Sequence, residues 1–103
     1  MIFLNSDTVY VVNGLQDQTT GNYVDDATVI GSLIDLSGNV LTTFNFDYVP
    51  ESLGVYQGVL TEAQVSSNCV DGGEYTVSVT CTIGDSTTTY TQIEMAGNLG
   101  FAT

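Results

Sequence analysis

The sequence contains no lysine, arginine or histidine, against 12 aspartates and glutamates, which gives a formal charge of −12. Without a basic side chain, the only intramolecular ion pair the chain can form is with its terminal amine. Every other carboxylate has to be satisfied by water, backbone N–H groups, a cation or a partner protein. Nucleic acid is excluded as a direct ligand, because its phosphates demand Lys and Arg. An anionic membrane surface is disfavoured for the same reason. Catalysis is not expected either. The usual general bases and the Ser-His or Ser-Lys nucleophiles cannot be built from these residues. Carboxylate pairs of the glycosidase type need a cleft, which a small all-β domain without a long insertion seldom offers. Two distant thiols and no imidazole make a poor zinc site.

Other scarcities narrow the class further. There is no tryptophan, one proline (Pro50) and two cysteines. Cys69 and Cys81 lie twelve positions apart, and the strand that starts near Glu74 carries Cys81 away from the turn holding Cys69. A disulfide needs Cα atoms within about 7 Å, so free thiols and assembly in a reducing cytoplasm are expected. No stretch approaches the roughly 20 apolar residues of a membrane span. Met1-Ile2-Phe3-Leu4 is apolar but lacks the basic region and length of a signal peptide, so synthesis and use without secretion are expected.

What the chain does have is strand pattern. At 103 residues with 43% hydrophobic side chains it is one domain able to bury an ordinary core. Abundant Thr, Val, Tyr and Gly point to an all-β fold. The central stretch runs from Asp71 to Met95. In it Tyr75, Val77, Val79 and Cys81 alternate with Thr76, Ser78, Thr80 and Thr82, the period of a strand with one buried and one wet face. Ile83-Gly84-Asp85-Ser86 supplies a turn, and Thr87 to Glu94 returns as a second strand.

Further strands are predicted at Thr8–Val12, Asp26–Asp35, Val40–Val49 (ended by Pro50) and Gly54–Leu60. Asn13-Gly14, Thr20-Gly21-Asn22 and Ser37-Gly38-Asn39 are turn signals. Asp26–Asp35 carries apolar residues on both faces and is expected to be central or partly covered on its outer face. Thr61–Val70 reads as a connection anchored by Ala63 and Val65, with no helical period longer than a turn anywhere. This gives an N-terminal arm or edge strand over residues 1–6, a domain over 7–95 and a tail over 96–103. Six strands are predicted, with a seventh if Met1–Leu4 joins the sheet.

Two resemblances add to this reading. Asp71-x-Gly73-x-Tyr75-x-Val77 resembles the start of strand F in an immunoglobulin-like (Ig-like) sandwich, where a tyrosine turns its hydroxyl onto upstream backbone, the tyrosine corner. Immunoglobulins proper have a cysteine where Val77 stands and a tryptophan on strand C, so the likeness is to the wider class. It implies a β-sandwich of two antiparallel sheets with six to seven strands. Over most of its length the chain also resembles small Ig-like structural proteins of tailed bacteriophages. The residues that carry this are Gly14-Leu15-x-Asp17, Gly21-x-Tyr23-Val24-x-Asp26-Ala27-Thr28-Val29, Asp35-x-x-Gly38-Asn39-Val40, Gly54-Val55-Tyr56-x-Gly58 and Gly73-x-Tyr75.

The second resemblance implies a decoration or cement protein on the outside of the head, synthesised in the host cytoplasm and bound to the major capsid protein or another virion protein as a dimer or trimer. The alternatives are a neck or tail subunit, and an adhesion or carbohydrate-binding module stacking ligand on Tyr23, Tyr48 or Tyr90. Contact residues are expected in the apolar ends, Met1, Ile2, Phe3, Leu4, Leu99 and Phe101, and among the loop acids Asp17, Asp25, Asp26 and Asp71. No resident cofactor is expected. Calcium is the one ion left open, through Asp17, Asp25 and Asp26 or through Asp35-x-Ser37-x-Asn39.

Overall fold

The computed structural model describes residues 1–98, so the candidate contacts Leu99 and Phe101 lie outside the described residues. The fold is all-β with one short helix. Its elements are β1 (Ile2–Phe3), β2 (Thr8–Val12), β3 (Thr28–Ile34), β4 (Val40–Tyr48), β5 (Tyr56–Leu60), α1 (Glu62–Asn68), β6 (Glu74–Ile83) and β7 (Ser86–Gly97). The strands form one continuous order, β1-β7-β6-β3-β4-β5-β2, in place of the two separate antiparallel sheets expected. All neighbours are antiparallel except β1 and β7, which run parallel, so the sheet is mixed. The two ends of the order, β1 and β2, are consecutive in the chain, and the Phe3 N–H donates to Thr8 Oγ1 at 3.0 Å. The sheet therefore rolls almost into a closed barrel.

Alternation decides which side chains go inside. In β6 the residues Tyr75, Val77, Val79 and Cys81 are buried, as the period-two pattern predicts. Val29 and Leu33 of β3, Phe44 and Phe46 of β4 and Tyr56 and Leu60 of β5 complete the interior. β3 is the central strand of the seven. Two inward glycines make room for the large rings. A Cβ on Gly31 would lie 2.4 Å from the Phe44 ring, and one on Gly58 would lie 2.7 Å from Phe46. Each phenylalanine covers a bare stretch of neighbouring strand, and the two rings pack 5.4 Å apart.

The structure corrects the expectation after Thr61 and decides between the two readings of the N-terminus. The segment after Thr61 is a helix, not an irregular connection. Thr61 caps it, accepting from the Gln64 N–H, while Gln64 Oε1 accepts from the Thr61 N–H, the reciprocal capping box. The Asp7 carboxylate accepts from the Glu62 N–H at 2.8 Å, and the Gln64 amide donates to Thr42 Oγ1 and the Thr43 carbonyl. These bonds fix the helix across the barrel end. Val65 is its one buried residue, and Ala63, expected to be an anchor, is exposed. Of the arm and the edge strand expected over residues 1–6, the structure has the edge strand, β1, which makes the seventh strand of the sheet. Ile2 is 0% exposed within the chain's own core, and only Met1 of the first four residues is exposed. Ile2 is thereby withdrawn from any partner surface.

Candidate binding seam

Three tyrosines fasten loops that charge cannot fasten in a chain without basic residues. Tyr75 is buried and its hydroxyl accepts from the Val70 N–H at 2.9 Å, five positions upstream, the corner geometry expected from the sequence. A Cβ on Gly73 would come within 2.9 Å of that hydroxyl, which accounts for the glycine in Gly73-x-Tyr75. Tyr56 donates to the Val24 carbonyl at 2.7 Å and accepts from the Ala27 N–H at 3.1 Å. Tyr48 donates to the Ser52 carbonyl.

The pairing register sorts the acids into two groups. The loops after β2, β4 and β6 share one barrel end and hold Asp17, Asp25, Asp26, Glu51 and Asp85, with Asp47 near the end of β4. The opposite end holds Asp7, Asp35, Glu62, Asp71 and Glu74, with Glu94 inside it. No acid lies within β2, β3 or β5. Of the four loop acids expected at a partner surface, Asp17, Asp25 and Asp26 therefore share an end and Asp71 lies at the other. Glu94 is buried, pairs with the Met1 ammonium and accepts from Gln92 Nε2 at 2.9 Å.

Two of the acids offered as cation ligands, Asp17 and Asp35, hold the backbone of their own turns. Asp17 Oδ1 accepts from the Thr19 and Thr20 N–H groups. Asp35 Oδ1 accepts from Ser37 and Asn39. The Asn39 N–H, chiefly, holds the Asp35 carboxyl below its ordinary range. Among the described residues no three His, Cys, Asp or Glu side chains converge as metal ligands would. Cys69 and Cys81 are both buried free thiols, each pushed up by burial, with a hydrogen bond from Tyr75 opposing the shift at Cys69. No helix of the described residues is long and apolar enough to cross a membrane.

Among the described residues a concave seam runs where the barrel fails to close, between β2 and β7. Tyr90 and Gln92 share the parity of the buried Glu94 and Ala96, so they face the interior, yet both are exposed and Tyr90 is 51% so. They are open because β1 covers β7 only at Ala96 and Gly97. The gap left behind is a cavity of about 310 Å³ with Tyr10, Phe46, Val77 and Val79 in its walls. Sharing Asn13 and Tyr90 with it is a polar cleft of about 660 Å³, lined by the 13–21 loop and by Thr87 and Thr88 among others. Asp17 is its one acid.

Burial first, then Glu94 and Cys69, push the Tyr10 phenol well above the ordinary tyrosine range. Its hydroxyl is buried and makes no hydrogen bond among the described residues. Of the tyrosines proposed as a stacking platform, Tyr23 and Tyr90 are exposed, while Tyr48 is half-buried and tied to Ser52. The sequence reading missed the seam. Its one trace in the sequence, bulky polar Tyr90 and Gln92 at the parity of Ala96, gains meaning only once that parity is seen to face inward.

The chain matches no protein-family model and no curated protein.

Proposed function

We propose that the chain is a non-enzymatic structural protein of a tailed bacteriophage, an Ig-like domain that decorates the outside of the head and cements the lattice of the major capsid protein. In this reading the rolled sheet is a variant of the Ig-like sandwich, with the Tyr75 corner at the start of strand F. The observation that carries the proposal is the division of charge: acids at both barrel ends and none within β2, β3 or β5. A wholly anionic domain is repelled by packaged DNA and favours the outer surface. Its Asp17, Asp25 and Asp26 end offers carboxylates for Lys and Arg on a lattice protein.

Sodium chloride separates the two roles of this charge. Screening relieves repulsion within the domain, over a Debye length of about 8 Å at physiological salt, so the melting temperature of the isolated protein is expected to rise. Attachment to heads is expected to weaken over the same titration, mainly through a slower on-rate. Attachment indifferent to salt would overturn the electrostatic contact. Copy number per particle then distinguishes a lattice cement, present in hundreds, from a neck or tail subunit, present in a handful.

The polar cleft favours a second reading, a module for uncharged glycans. Gln16, Gln18, Asn13 and Thr88 supply amides and hydroxyls beside the exposed Tyr90 ring. Binding on a glycan array that is lost in Tyr90→Ala would support it over the cement role.

A further inference from the structure

The seam carries an inference that does not depend on either reading. From Ser86 to Met95 no strand pairs with the β7 edge that faces away from β6, among the described residues. Across the gap, β2 pairs only with β5. Two rows of backbone N–H and C=O groups thus border a slot whose floor is the apolar surface of Phe46, Val77 and Val79. An extended segment laid there would continue the sheet and drop alternate side chains onto that floor. None of the residues lining the apolar cavity is acidic, in a chain with 12 acids and no base.

We propose that this slot accepts, as an added strand, residues 98–103 of a second copy of the chain. Three observations select that occupant. The segment Asn98-Leu99-Gly100-Phe101-Ala102-Thr103 contains no acidic side chain, so its entry adds none to the repulsion between two domains of like charge, which salt then screens. Leu99 and Phe101 are two positions apart and fall on one face of an extended chain, matching the apolar floor. The chain's own tail is badly placed to enter: it leaves β7 at the end where β1 already occupies the same edge, at Ala96 and Gly97. To enter its own slot it would have to reverse direction and pass β1. Reciprocal donation between two copies closes the assembly, whereas one-way donation propagates it. Either way association depends on the tail and grows with salt, the opposite of an acidic domain binding a basic partner.

The test is sedimentation of the full chain across a sodium chloride titration, beside Phe101→Asp, Tyr90→Lys and a chain ending at Gly97. The full chain is expected to reach at least twice its single-chain mass of 10.9 kDa as salt rises. All three variants are expected to stay at the single-chain mass. Phe101→Asp and Tyr90→Lys alter the tail and an exposed slot position, so a melting profile like that of the parent shows that fold loss is not the cause. A full chain that remains single at every salt concentration overturns the proposal, and so does a Phe101→Asp variant that associates like the parent. A single-chain protein whose melting temperature drops on truncation would place the tail in its own slot, which also overturns it.

Discussion

Ile2→Ala is expected to destabilise the domain by about 2–5 kcal/mol, the range for truncating a well-packed aliphatic side chain. Ile2 is 0% exposed and pairs with Ala96 in the one parallel step of the sheet. It sits where the barrel comes nearest to closing, so little neighbouring structure is free to collapse into the space its side chain leaves. A domain of this size has roughly 5–15 kcal/mol of stability in all, so a single truncation at the second residue would remove a large share. Urea denaturation of the parent and variant checks this, with an unchanged slope showing that the midpoint shift is a stability change. A loss below about 1 kcal/mol would mean that the N-terminus behaves as an arm after all.

Tyr56→Phe is expected to cost about 2–4 kcal/mol, and more than Tyr75→Phe, for which about 1–2 kcal/mol is expected. The difference lies in what each hydroxyl leaves behind. Removing that of Tyr56 strands both the Val24 carbonyl and the Ala27 N–H, while that of Tyr75 leaves the Val70 N–H and the weaker partner Cys69, a thiol. Tyr56 is also the more deeply buried of the two, at 1% exposure. Paired denaturation curves give the order, and a reversed order or two losses near zero would show that the loops are held by other contacts.

The pH dependence of Tyr56 follows from the same burial, which pushes its phenol above the ordinary value. A raised value in the folded state means that the neutral form is favoured there. The contribution is therefore complete below the unfolded value of about 10 and is lost as pH rises through the folded one.

Strand positions and turns were legible because each is a local pattern. The period of two in Tyr75–Cys81 and the Gly84-Asp85 turn reappear in the structure, with Ile83 opposite Ser86. The corner was legible because Gly73 and Tyr75 act on each other within a few residues. What stayed hidden was short or long-range. A seven-residue helix with Val65 as its one buried side chain has no apolar period to detect, although Thr61 and Gln64 spell its cap. The two residues of β1 show no alternation, and their partner lies at the far end of the chain. Because β1 is one end of the sheet and approaches the other end, β2, only through Phe3 and Thr8, neither the near-closed barrel nor its seam could be read from the sequence alone. Tyr90 and Gln92 look like ordinary wet-face residues until the parity of Glu94 and Ala96 is known.

Confining the acids to the barrel ends has a consequence for handling the protein. The long neutral runs in β6 and β7, rich in threonine, valine and tyrosine, are the kind of sequence that stacks into fibrils when nothing keeps neighbouring molecules apart. Asp71, Glu74 and Asp85 flank those runs and supply that separation only while they are ionised. With no basic side chain, the chain has only its terminal ammonium to take over on acidification. As pH falls through the ordinary carboxylate range, about 4, the repulsion that keeps the open edges of β2 and β7 apart fades, and acid becomes the condition under which this protein leaves solution.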